Sequence, residues 1–245
     1  VVSELYNPIT VVGVDCATKP SKVGMALGSF DGQHLTLVDA KVGSSSVKPV
    51  DVVATWIKGK AQSLICLDAP LGWPVRLREA LHDHQAGATL NHSANDLFQR
   101  LTDKEICERL KKRPLEVGAD RIARTSKSAL DFLGELSISV GRSIELAWDQ
   151  NPWQGVRAIE VYPAATRLSW GLKHASSDVL AQHCCFGGID VNLLNNGHIN
   201  DAVVCAIAGK EFLLHEAVRP SEEQKEIAMR EGWIWAGRKP DEIKR

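Results

Sequence analysis

Two aspartates stand at the ends of short apolar runs, Asp15 after VVGV and Asp68 after LICL. Runs of this length and character read as strands covered on both faces, which puts each carboxylate at the C-terminal edge of a sheet. If the strands are neighbours, about 4.8 Å apart, the two carboxylates converge. Paired carboxylates repel unless a cation lies between them or a proton is shared. Hard oxygen donors of this kind suit Mg²⁺ or Mn²⁺. The plainer account is that each Asp caps the turn or helix that follows it. Seeing the pattern twice weighs against that account.

Further candidates lie downstream. Asp201 follows Gly197 and His198 near the start of a long apolar helix. It is either a third ligand brought to the strand ends or a carboxylate placed to suit the helix dipole. Glu160 sits between Ile159 and Val161 in a strand-like run, where a charge needs a partner. It is a metal ligand, a general base, or the partner of an arginine such as Arg121 or Arg124. Arg100 and Asp103 are spaced to share one helix face, for which surface ion pairing is the default. The densest basic stretch, RLKKR at 109–113, fits phosphate contacts and a solvated helix face equally well. His82, His84 and His92 form no zinc pattern and read as surface residues. Nucleotide-binding glycine loops and a GxSxG elbow do not occur.

The elements that must position these residues are legible in outline. TVVGVDCA (10–17), VGMALGSF (23–30) and HLTLVDAKV (34–42) read as a three-stranded meander, with Asp31-Gly32 a strong hairpin turn. A helix is expected over 49–60 and a buried strand over 63–70. The region 74–152 is richer in charge and reads as a mostly helical insertion. A strand at 154–165 ends at Pro163, and helices follow at about 164–172 and 176–185. A strongly apolar helix covers 198–215, with Asn200 as its cap. The terminal GWIWAGRKP reads as a covering strand or loop. An antiparallel meander followed by βα units implies one α/β domain, a mixed sheet with helices on both faces. Sites in such sheets form at the carboxyl ends of the parallel strands.

Composition sets bounds. The 245 residues are 44% hydrophobic and 24% charged with a formal net charge of −1, ordinary for a chain with a full core. A dedicated non-specific DNA binder would be clearly basic, so any nucleic-acid contact needs a local patch. No run of 18 apolar residues occurs, which argues against a membrane span. The first ten residues lack the features of a signal peptide. The six cysteines form no CxxC pair and read as reduced thiols of a cytoplasmic protein.

Taken in order, GVDCA (13–17), LDAPLGWP (67–74), RLTD (100–103), EVYPAA (160–165) and HINDAVVCAIAG (198–209) resemble a domain-of-unknown-function family of predicted nucleases with a ribonuclease H fold. The resemblance implies a ribonuclease H-like sheet with Asp15 on its first strand, Asp68 on its fourth and Asp201 on a final helix. It implies that Asp15, Asp68 and Asp201 bind Mg²⁺ or Mn²⁺ for phosphodiester hydrolysis. Glu160 is then a fourth ligand or base, and His198 assists proton transfer. Arg100 holds a phosphate and, with Asp103, Arg121 and Arg124, makes up the substrate-binding set, the substrate being nucleic acid. One departure stands out: the 49–60 helix carries Asp51 but no glutamate, which ribonuclease H has on that helix. Glu160 or Asp103 is the available substitute. Two alternatives remain. One is a non-catalytic module of the same fold whose carboxylates are satisfied by arginines. The other is an actin-like or sugar-kinase-like phosphotransferase, for which Gly187-Gly188 is the candidate phosphate turn. Homo-oligomerisation is left open.

Overall fold

The computed structural model describes residues 7–151 and 153–239. Its centre is β1, Ile9–Asp15, buried along its length until the final aspartate. Burial on both faces is what a nearly unbroken apolar strand demands. The chain turns back as β2, Gly24–Phe30, and again as β3, Leu35–Val42. The β2–β3 turn forms because Asp31 Oδ1 accepts from the backbone N–H groups of Gln33 and His34, while Gly32 supplies the positive φ.

Helix α1 (Pro49–Ile57) leads to β4 (Gln62–Asp68). Then come α2 (Val75–Leu81), α3 (Ala94–Phe98), α4 (Leu101–Leu110), α5 (Ile122–Val140) and the short β5 (Glu145–Leu146). The rest is β6 (Gly155–Glu160), α6 (Pro163–Ser169), α7 (Ser177–Leu180), β7 (Cys185–Phe186), α8 (Gly197–Leu213) and α9 (Glu222–Glu231). The strands form one seven-stranded sheet in the order β5-β6-β4-β1-β2-β3-β7. Only β2 runs against the others. This is the expected mixed α/β sheet, a meander followed by parallel strands.

Helices cover both faces. On one face α8 packs over β1, β2 and β4, with Val11, Leu64 and Cys66 of the sheet in the same core as Val203–Ala208. On the other, Val12, Val14, Ile65 and Leu67 meet Val53 and Trp56 of α1 and Ala129, Phe132 and Leu136 of α5. The 74–152 insertion is helical as expected, yet α5 is a layer of the core and β5 lengthens the sheet.

Several elements differ from expectation. The cap of α8 is Asn196, whose side chain accepts from His198 N and Ile199 N; Asn200 lies inside the helix. The 176–185 segment is helical only over α7. Its end becomes β7, which gives the otherwise open edge of β3 a partner at Thr36 and Leu37. Helix α9 had no apolar period to reveal it, since only Ala228 and Glu231 are buried. The terminal GWIWAG segment covers the carboxyl end of β6, with Trp235 N donating to the Glu160 carbonyl. No helix among the described residues is long and apolar enough to cross a membrane.

The closeness of α8 to the sheet depends on glycine. A Cβ on Gly13 would overlap the Ala202 carbonyl oxygen and lie 2.6 Å from Ala206 N, and one on Gly24 would overlap the His198 carbonyl. Gly24 is the register partner of Asp15, so the same contact brings His198 to the end of β1. We expect Gly13→Ala to destabilise the protein by about 3 kcal/mol, the upper range for overpacking, read from urea unfolding. An unchanged midpoint would mean that α8 does not pack this closely.

Candidate active site

Asp15 and Asp68 are direct register partners on adjacent parallel strands, so their side chains project from the same face at the same edge. That face is the one α8 covers, and the first turns of α8 add His198 and Asp201. The Nδ1–H of His198 donates to Asp15 Oδ2 at 2.6 Å; the Asp15 side chain is 13% exposed and that of His198 41%. Arg167 of α6 forms an ion pair with Asp201 and donates to Asn200 Oδ1 at 3.3 Å. Asn200 is in turn fixed by donating to the Ala175 carbonyl at 3.0 Å.

The carboxylates feel one another. Burial pushes Asp15 up to about 6; the hydrogen bond from His198 pulls it down, and the charge of Asp201 raises it. Asp68 is held well above the ordinary carboxylate range by burial, then by the charges of Asp15 and Asp201, with Arg167 partly offsetting them. Tyr162, at the N-cap of α6, is pushed up to about 12 by burial and by Asp68. Carboxylates that resist ionisation beside one another form a place where a cation is favoured. Asp15 and Asp68 are suited to hold one as an oxygen-donor pair. Asp201 is nearby but engaged by Arg167, and among the described residues no three acidic, His or Cys side chains are close enough together to enclose a metal.

Glu160 does not join this set. It is the register partner of Leu67, one residue out of phase with Asp68, and strand side chains alternate between faces. Its carboxylate instead accepts from Arg100 Nη1 and Nη2 at 2.9 and 2.7 Å and from Leu71 N at 2.9 Å. Arg100 also donates Nε and Nη2 to Asp103, at 3.2 and 2.9 Å, and Nη1 to the Glu231 carbonyl at 3.2 Å. Arg100, Asp103 and Glu160 are 1–3% exposed. All five guanidinium donors are used, so Arg100 has none left for a phosphate, and Asp103 has no surface to offer a substrate. The RLTD motif builds a buried anchor rather than a substrate contact or a surface pair. Burial alone would lower the Arg100 pKa; Glu160 and Asp103 outweigh that and keep it charged.

The remaining candidates are dispersed. Arg121 and Arg124 are exposed on the first turn of α5 and do not meet Glu160. Lys111, Lys112 and Arg113 are exposed, with Arg113 paired to Glu116. His82, His84 and His92 are exposed as expected. Gly187-Gly188 lies beside Leu37, far along β3 from Val42, whose partner Gly24 pairs with Asp15. It is therefore remote from the carboxylates and unsuited to present a phosphate to them. Two residues escaped the sequence reading, Arg167 and Tyr162. Tyr162 had a local cue, since it lies between a strand-end Glu and a helix-starting Pro. Arg167 had none, because its role depends on α8 crossing α6.

A mixed α/β sheet with paired carboxylates at the ends of two parallel strands defines the class of protein. More particularly, the chain belongs to the family described as Protein of unknown function (DUF429), whose model matches residues 13–183. The match takes in Asp15, Asp68, Arg100, Asp103, Glu160 and Arg167, and stops before His198 and Asp201. No curated protein and no solved structure matches.

Two outcomes are expected. Arg100→Met leaves Glu160 and Asp103 buried and uncompensated, and should cost about 3–5 kcal/mol in urea unfolding. Asp15 has a folded pKa of about 6 against an ordinary 3.8, so its favourable contribution is complete below about pH 4 and lost as pH rises through 6. Asp15→Asn avoids that loss. Without added divalent metal, the variant should be more stable than wild type by up to about 2 kcal/mol at pH 8, with the gain shrinking towards zero at pH 4. A gain independent of pH would contradict this account.

Proposed function

We propose that the protein is a divalent-metal-dependent phosphodiester hydrolase acting on nucleic acid, with Asp15 and Asp68 at its centre. The observation that carries the reading is their register pairing at the sheet edge, on the face where α8 brings Asp201. The strand order β3-β2-β1-β4-β6, with only β2 reversed, supports a ribonuclease H-like arrangement. Asp15 and Asp68 would hold Mg²⁺ or Mn²⁺, with Asp201 joining once released from Arg167. When bound, the metal supplies water activation and neutralises charge at the departing oxygen.

The chain's own groups have definable parts. Asp15 holds the Nδ1–H tautomer of His198, which leaves Nε2 of this partly exposed side chain as the proton acceptor. The six free cysteines suit a reducing cytoplasmic setting.

A second reading has its own support. Pairing of Asp201 with Arg167 and of Asp15 with His198 is what a non-catalytic module of the same fold would show.

Calorimetric titration with Mn²⁺ separates the two. The hydrolase reading expects saturable binding to the wild type, lost in Asp15→Asn. It also expects Mn²⁺-dependent cleavage of some member of a DNA and RNA panel, reduced by more than about 100-fold in Asp15→Asn and Asp68→Asn. A wild type that binds no Mn²⁺ would leave the non-catalytic module as the better account.

A further inference from the structure

Arg100 and Arg167 are used differently. Arg100 spends all five donors on buried acceptors. Arg167 spends only Nη2, on Asp201 and Asn200. Its Nε is buried without a partner, and its Nη1 has no partner among the described residues. A guanidinium serving only as counter-ion to Asp201 would be expected to meet it with two parallel donors, the geometry that a fork and a carboxylate favour. Here one terminal nitrogen is tied back and the other is left over.

Arg167 lines a cavity of about 360 Å³ together with His174, Asn195, Asn200 and Asp201. The cavity adjoins the carboxylate edge, since Asp201 belongs to both. Its other polar side chains suit phosphate oxygens: His174 and Asn195 are exposed there and bring donors without adding negative charge. Asn200 and Asp201 hold the guanidinium in place before any ligand arrives, which reduces the ordering cost of binding.

We propose that this cavity is a phosphate-binding subsite anchored by the free Nη1 edge of Arg167, with Asn200 as the positioning residue. The ligand class is a phosphate group, terminal or within a nucleic-acid strand. Only the identification of its carrier as nucleic acid rests on the hydrolase reading. Asp201 links the two sites: a cation drawn to the carboxylates competes with Arg167 for Asp201 and strengthens the charge that Arg167 presents to a phosphate.

The test is binding and needs no turnover. Inorganic phosphate is titrated calorimetrically; a labelled single-stranded oligonucleotide, with and without a terminal phosphate, is followed by anisotropy. Arg167→Gln should weaken binding by about tenfold or more, the worth of a charge-assisted hydrogen bond. Asn195→Asp, an exposed substitution that leaves the core intact, should weaken it by about fivefold, the cost of a like charge at contact distance in water. Asp201→Asn should weaken Mn²⁺ binding. Dependence on the terminal phosphate would identify an end-binding subsite, and independence of it a subsite for internal diesters; both support the proposal. Phosphate binding through Arg167 without Mn²⁺ binding would preserve the subsite and remove the hydrolase reading. If neither phosphate nor either oligonucleotide binds, or if binding is unchanged by Asn195→Asp and Arg167→Gln, the subsite is overturned. Should Arg167→Gln fail to fold, Asn195→Asp alone decides.

Discussion

The buried guanidinium of Arg100 holds together elements that are far apart in the chain. It joins the start of α4 to the end of β6 through Glu160 and to the end of α9 through the Glu231 carbonyl. Glu231 continues the network, its two carboxylate oxygens accepting from Val75 N and Leu101 N at 2.7 Å each. One carboxylate thus satisfies orphan N–H groups at the starts of both α2 and α4. The Thr102 hydroxyl accepts from Ile234 N, which secures the terminal segment. A buried ion network is weak evidence for net stability, because desolvation consumes much of its Coulomb energy. Its value here is positional: a charge with five donors in a fixed fork is satisfied in only one arrangement of its neighbours.

That constraint reorganises the meaning of the motifs. RLTD, the glutamate of EVYP and the terminal GWIW converge on one structural cluster, not on a substrate. Gly232 fits the same logic, since a Cβ there would lie 2.7 Å from Glu160 Oε2 and 3.2 Å from Arg100 Nη1. The anchor fixes the carboxyl end of β6, and α6 departs from that end two residues later carrying Arg167. The structural arginine therefore places the arginine that meets Asp201, and a closed network supports a more open one.

Across the sheet the corresponding constraint is steric. Gly13 and Gly24 let α8 lie against the backbone of β1 and β2, so Asp15, His198 and Asp201 meet without any long side chain having to reach. The electrostatic tension at the edge follows directly. Three carboxylates are held by packing, and the available compensation is one imidazole and part of one guanidinium.

The sequence by itself determined β1 to β4 and β6 and their order of appearance, but not the two-residue β5 and β7. Apolar runs, the Asp31-Gly32 turn and strand-end aspartates are local features, and local features survive without tertiary knowledge. It also singled out Asp15, Asp68, Asp201 and His198, because ends of strands and starts of helices can be read from periodicity. What it could not determine was which charges were partners. Glu160 and Asp68 look alike in sequence, but a one-residue difference in phase sends them to opposite faces. Arg100 and Asp103 look like a surface pair until α9 and the terminal segment close over them. The brevity of α7 was likewise decided by packing, whereas the Asn196 cap of α8 and the Ser221–Gln224 capping box of α9 are local signals that the sequence does carry. Arg167 became legible only when α6 and α8 crossed, since the choice of counter-ion depends on distances through space, which spacing along the chain does not encode.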